Sequence, residues 1–320
     1  MMNTWNLVVP ELRPALADSR PLSLTQDALV ALRQQRQQAA LANVQSFRDI
    51  GLSVEEHLIS SPAHPAVRVC VITPATPGQN RMGILHIHGG GHLFGSPEQS
   101  LSLTSATALQ HDCVIVSVDY RLAPETVFPG SLEDCYAALV WMSEQATALG
   151  IHSDHIGLMG DSAGAGLAAS LALLTRDRNG PRIAFQNLMF PMLDDRTVTE
   201  ENPNPVTGEF VWTREYNRFG WRSLLGCEPG SEGVSAYAAP GRATDLTNLP
   251  PTWLGVGTLD LFLDENLRFA QALIRAGVAV EMNVWPGAYH GFNSDPQARV
   301  AQRAREQRQA WIVQFRPTAV

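Results

Sequence analysis

Six short apolar runs recur along the chain, at 82–87, 113–118, 156–159, 185–190, 253–256 and 280–284, and the segments between them are long enough to hold helices. Near-continuous apolar strands of this length are buried on both faces, so their alternation with helices specifies a mainly parallel sheet covered on both sides. Two more strand-like stretches, 55–60 and 67–73, come first, and the prolines of Ser61-Pro62-Ala63-His64-Pro65 mark a turn between antiparallel neighbours. The expectation is therefore an α/β fold with an eight-stranded, mostly parallel sheet. Helices are expected near 97–110, 131–149, 163–177, 264–276 and 296–313. A further helical segment over 25–47, capped by Thr25 or Ser23, leads into the sheet.

One connection does not fit this rhythm. Residues 191–251 far exceed an ordinary loop, contain Pro203-Asn204-Pro205, and carry an aromatic stretch from Phe210 to Trp221. We read this segment as an inserted cap with its own helix.

The strand Ile156-Gly157-Leu158-Met159 runs into Gly160-Asp161-Ser162-Ala163-Gly164, and the small-residue helix Ala165-Gly166-Leu167-Ala168-Ala169 follows. Strand, GxSxG and helix together form a nucleophile elbow. A turn this tight brings backbones so close that a Cβ at 160 or 164 would collide, and it leaves Ser162 exposed at a helix N-terminus, where negative charge is favoured. Residues 164–169 also satisfy a GxGxxA dinucleotide fingerprint. Its glycines fall inside the helix, however, and no acidic residue follows about 20 positions on. A second strand, Ile84-Leu85-His86-Ile87, ends in His88-Gly89-Gly90-Gly91. No turn needs three glycines, but bare backbone suits amide donors facing an oxyanion, and HGGG is the partner motif of the elbow. His86, His88 and His92 lack a further ligand at metal spacing, so His88 reads as a residue that braces the loop.

With these motifs the chain resembles the hormone-sensitive lipase family of α/β-hydrolases, the bacterial esterases with HGGG and GDSAG. Asp119-Tyr120-Arg121-Leu122-Ala123-Pro124-Glu125 with Phe128-Pro129 is similar to the family's DYRLAPE and FP signature. Leu259-Asp260-Leu261-Phe262-Leu263-Asp264-Glu265 is similar to its DPLxDE block, and His290-Gly291-Phe292 completes the order. The resemblance implies that Ser162 is the nucleophile, Asp260 the acid and His290 the base, with the N–H groups of Gly90, Gly91 and Ala163 as oxyanion donors. Position agrees, since these residues follow the fifth, seventh and eighth expected strands and project from the carboxyl edge of the sheet. Asp194, Asp195, Asp264 and Glu265 are the competing acids. The sequence departs from the family at His92, which replaces an aromatic or aliphatic residue, at Leu261, which replaces proline, and at Gly130, which replaces alanine.

The division expected is 1–50 as an N-terminal helical cap segment, 51–190 with 252–320 as the catalytic α/β-hydrolase domain, and 191–251 as the inserted cap. Trp212, Phe219 and Trp221 are candidates to bury an apolar acyl or alcohol group. The expected reaction is hydrolysis of short- to medium-chain acyl esters, without metal or organic cofactor. Amide or lactone cleavage by the same triad is one alternative; a ligand-binding receptor on the same scaffold is another, although such receptors lose the histidine that His290 represents here.

A formal charge of −8 without clustered Lys or Arg excludes a nucleic-acid partner and favours a small neutral ester. Apolar residues at 45% and charged residues at 17% describe a globular chain. No run approaches the roughly 18 apolar residues of a membrane span. Met1 to Trp5 show no basic segment followed by an apolar one, so a cytoplasmic location is expected. Cys70, Cys113, Cys135 and Cys227 have no CxxC spacing, and neither disulfides nor a zinc site are expected. Oligomeric state, a homodimer included, stays open.

Overall fold

The computed structural model describes residues 4–17, 22, 24–42, 44–61 and 64–317. Among them, strands β1 (Leu52–Ser61), β2 (His64–Pro74), β3 (Arg81–Ile87), β4 (Val114–Asp119), β5 (Ile151–Asp161), β6 (Gln186–Met189), β7 (Thr252–Gly257) and β8 (Val280–Trp285) form one eight-stranded sheet in the order β1-β2-β4-β3-β5-β6-β7-β8. β1 pairs antiparallel with β2, and β2 antiparallel with β4, while every later pairing is parallel. The expected opening hairpin and parallel remainder are both present; Pro62 and Ala63 of its turn lie outside the described residues.

Strand alternation distributes side chains to two cores. In β3, Leu85 and Ile87 join a cluster with α5 (Gly130–Glu144), α6 (Ala163–Asp177) and α8 (Leu263–Arg275). Ile84 faces the opposite cluster, built with α1 (Arg13–Ala17), α4 (Leu101–His111) and α9 (Arg299–Ile312). The covering on both faces is what demands near-continuous apolar strands. β5 is longer than its apolar core because Ser153 and Asp154, near its start, are exposed and carry no hydrophobic signal.

The helical segment expected over 25–47 is two helices, α2 (Gln26–Leu41) and α3 (Val44–Asp49). The reason is a change of burial partner. α2 buries Leu29 in a third cluster with Trp212 and Trp221, whereas Val44 and Phe47 of α3 pack against the sheet cluster that contains Leu52 and Ile115. Thr25 caps α2, its hydroxyl accepting from Ala28 N at 3.3 Å; Ser23 lies outside the described residues. Within 191–251 the principal element is α7 (Arg214–Leu225), started by the Thr213 cap and stopped by Gly226 in the left-handed region.

Glu98 anchors α2 to the sheet. Its buried carboxylate accepts from Arg68 at 2.6 Å and from Gln37 Nε2 at 3.1 Å. Burial alone would raise its pKa, but the hydrogen bonds from Arg68, Gln37 and Ser96 outweigh this and hold it at about 2. A folded pKa below the unfolded one adds stability that is fully present above about pH 4.5 and is lost as pH falls toward 2. Glu98→Gln is therefore expected to lower unfolding free energy by about 2–3 kcal/mol at pH 7. In urea titrations across pH the difference should shrink only below pH 4.5; a gap independent of pH would contradict the charge-based account.

Candidate active site

At the β5–α6 junction the chain reverses through Ser162, whose φ of 57° and ψ of −121° lie where non-glycine residues are rare. Crowding enforces the flanking glycine. A Cβ on Gly164 would lie 2.1 Å from the Ile87 carbonyl oxygen and 2.3 Å from that of His88, so α6 approaches the end of β3 only without a side chain there. Backbone bonds from Ser162 N to the Met189 carbonyl at 2.9 Å, and from Met192 N to the Ser162 carbonyl at 3.1 Å, hold the turn against the end of β6. The Ser162 side chain caps nothing and is left for other partners.

That partner is His290. Ser162 Oγ lies 2.9 Å from His290 Nε2, and His290 Nδ1 lies 2.8 Å from Asp260 Oδ2. A carboxylate at Nδ1 requires the proton there, which leaves Nε2 to accept from the seryl hydroxyl. The loops carrying Asp260 and His290 are tied together, Leu259 N donating to the Ala288 carbonyl at 2.9 Å and Gly287 N to Thr258 Oγ1 at 2.8 Å. Asp260 is fully buried, and its other oxygen accepts from Phe262 N at 2.9 Å. Phe190 and Phe262 pack about the imidazole, with ring centroids 4.6 and 5.1 Å away.

The rival acids are occupied elsewhere. Asp194 pairs with Arg196 and Asp195 with Arg242. Asp264 accepts from Asn204 Nδ2 at 3.3 Å. Glu265 is buried and accepts from Leu193 N and the Thr197 hydroxyl; burial pushes its carboxyl well above the usual range.

The glycine loop lies beside the elbow. Gly90 has a φ of 125°, and a Cβ there would fall 1.8 Å from the Phe94 carbonyl oxygen, so only glycine fits. Among the described residues, the N–H groups of Gly90, Gly91 and Ala163 have no acceptor in the protein. Bracing comes from His88, as its position suggested: its ring stacks on Tyr120 at 4.2 Å and its Nδ1 donates to the Gly89 carbonyl at 2.8 Å, while the Tyr120 hydroxyl donates to the His88 carbonyl at 2.8 Å. From outside, Arg33 of α2 donates to the Leu93 carbonyl at 2.7 Å and the Ala123 carbonyl at 2.6 Å, and pairs with Glu125 at 2.8 Å. His86 bonds Ser117 Oγ at 2.8 Å, and no group of three or more His, Cys, Asp or Glu among the described residues is arranged to hold a metal ion.

Of the three aromatics singled out in the 191–251 insertion, Trp212 stands over the site, its ring 6.4 Å from His290. Trp221 is fully buried behind His92, and Phe219 is half-buried against the cap cluster. Ser162 and His290 are each only 7% exposed.

Sequence reasoning missed Arg308. This fully buried arginine on α9 donates to Asp161 Oδ1 at 2.6 Å, Asn187 Oδ1 at 2.6 Å and the Gly160 carbonyl at 3.2 Å, and so grips the strand end that carries the elbow. The available signal was its place on the apolar stripe of α9, in register with Ala301, Ala304 and Ile312. Arg308→Met is expected to cost about 3–5 kcal/mol in urea unfolding, because it strands Asp161 and Asn187. A loss below about 1 kcal/mol would mean that the cluster does not matter to stability.

A family model described as alpha/beta hydrolase fold matches residues 84–294. Esterase LipI of Mycobacterium tuberculosis is 33% identical over 245 residues, 75% of each chain. The chain belongs to the hormone-sensitive lipase family of α/β-hydrolases. Carboxylesterase NlhH of the same organism is also 33% identical, over 251 residues covering 75% of this hydrolase and 76% of that one. Among solved structures, a bacterial heroin esterase superposes with a TM-score of 0.89 at 34% identity, covering 99% of this chain and 100% of the other. The hydrolase is thus a carboxylic-ester hydrolase, and the receptor alternative is set aside. No helix among its described residues is long and apolar enough to cross a membrane.

Proposed function

We propose that this enzyme hydrolyses short- to medium-chain carboxylic esters through an acyl-enzyme on Ser162. The observation that carries the reading is the unbroken relay from hydroxyl to imidazole to buried carboxylate, at 2.9 and 2.8 Å, beside amides without acceptors. His290 Nε2 takes the Ser162 proton as Oγ attacks the ester carbonyl, and the tetrahedral oxyanion accepts from Gly90, Gly91 and Ala163 N–H. The protonated imidazole, held by Asp260, then passes its proton to the leaving alkoxide. Water, deprotonated by the same Nε2, attacks the acyl-serine and releases the acid.

The relatives support this chemistry, since they include carboxylesterases, an arylesterase and an acetyl-hydrolase. We assign residues 51–190 and 252–320 to the catalytic domain and residues 1–50 and 191–251 to its cap, and we place the enzyme in the cytoplasm. Amides and lactones are the secondary substrates to try.

A fluorophosphonate probe is expected to add one phosphonyl group, on the peptide containing Ser162, and to abolish turnover of para-nitrophenyl esters. An adduct elsewhere, or full activity after labelling, would overturn the mechanism. An acyl-length series measures the pocket, with the optimum expected at short to medium chains.

A further inference from the structure

His92 follows the glycine loop directly, in the left-handed region with a φ of 64°. Its imidazole is buried, and neither ring nitrogen has a hydrogen-bond partner among the described residues. Trp221 of α7 packs against it with ring centroids 5.9 Å apart, and the indole N–H is likewise buried and unpartnered. One turn earlier on α7, Asn217 accepts from Trp212 Nε1 at 3.1 Å through its carbonyl oxygen, and its amide nitrogen has no partner. These groups adjoin the glycine loop. Between them on α7, Gly220 approaches so closely that a Cβ would lie 2.9 Å from the Gly91 carbonyl oxygen.

Leaving one buried polar group unsatisfied costs about 1–3 kcal/mol, so several orphans in one place call for a common partner. Their chemistry narrows what that partner is. Trp221 only donates, and the Asn217 amide nitrogen only donates. Burial pushes the His92 pKa down to about 3, so at neutral pH its ring is uncharged, with one donor and one acceptor nitrogen. A donor-rich, uncharged cluster matches a neutral oxygen acceptor. A carboxylate would enter without compensating charge, at high cost. The position points to the acyl half of the ester. His290 must reach the leaving oxygen, which turns the alcohol toward the imidazole, whereas α7 packs on the glycine loop through Gly220, and Trp212 stands between His290 and Asn217.

We propose that His92, Asn217 and Trp221 form a polar acyl subsite, and that the enzyme prefers acyl chains bearing an ether, keto or hydroxyl oxygen beyond the carboxyl carbon. This rests on the assignment of Ser162 as nucleophile.

The test compares para-nitrophenyl methoxyacetate with butyrate, and methoxypropionate with valerate, pairs in which oxygen replaces a methylene. Each ratio of kcat/KM is divided by the ratio of hydroxide-catalysed rates, which removes the intrinsic effect of the oxygen. The wild type is expected to show a normalised preference of about tenfold or more in at least one pair, and Trp221→Phe and His92→Phe to lose most of it. Trp221→Phe keeps an aromatic ring at this position and removes the indole N–H together with the second ring. No normalised preference in the wild type, which needs no variant to fold, overturns the subsite, as does a preference that both variants retain. Absence of turnover for all four esters, with no phosphonate adduct on Ser162, overturns the nucleophile assignment and the subsite with it.

Discussion

Exchanging Ser162 for alanine is expected to reduce kcat for para-nitrophenyl esters by about a million-fold, with little change in unfolding free energy. The hydroxyl forms no cap bond and, among the described residues, hydrogen-bonds only with His290 Nε2, so its loss removes the attacking atom and leaves the fold intact. Alanine inherits a strained φ of 57° that serine already tolerates. What remains is water attacking an ester polarised by the loop amides, worth roughly a thousand- to ten-thousand-fold over solution. Initial rates on freshly purified protein, with mass spectrometry to exclude wild-type contamination, measure the effect. Residual activity above about 1% would mean that Ser162 is not the nucleophile.

The second large effect is expected from Asp260→Asn, at about ten-thousand-fold in kcat near neutral pH. Asparagine is close in size, and its oxygen can keep the bond from Phe262 N, so the loop stays in place. Its amide N–H, however, donates to Nδ1 of His290 and drives the imidazole into the tautomer whose Nε2 carries the proton. That nitrogen then cannot accept from Ser162. Asp194→Asn is the informative companion, because this carboxylate pairs with Arg196 and not with the imidazole. Its expected signature is lost stability at nearly unchanged kcat. Equal losses in kcat from the two variants would contradict the choice of Asp260.

How much of this could be read beforehand depends on the range of the forces involved. The sheet was legible because burial on both faces writes itself into each strand as a local apolar run. The elbow was legible because its motif spans five residues and the crowding at Gly160 is local, a Cβ there meeting the Gly164 carbonyl oxygen at 2.5 Å, whereas the crowding at Gly164 comes from the distant end of β3. Asp260 and His290 were not fixed by local pattern. Their pairing is made by two loops hydrogen-bonded to each other across 30 positions, and it took the family resemblance to name them. The split between α2 and α3 escaped notice because each helix answers to a different core. The start of β5 was missed because Ser153 and Asp154 are exposed and only Ile151, paired with Arg81, joins the ladder before Ile156. Arg308 looked like one arginine among the many of α9, and only the fold turns it toward the elbow.

The clasp that Arg33 makes on the Leu93 carbonyl changes what the N-terminal helix is for. Leu93 N and Phe94 N both donate to the Gly90 carbonyl, so a pull on this short turn is passed to the amides at its mouth. A helix that looks like a shutter is also a tie rod, holding the polarising groups at their working angle. Losing it would slow the chemistry itself, even for an ester small enough to enter unhindered.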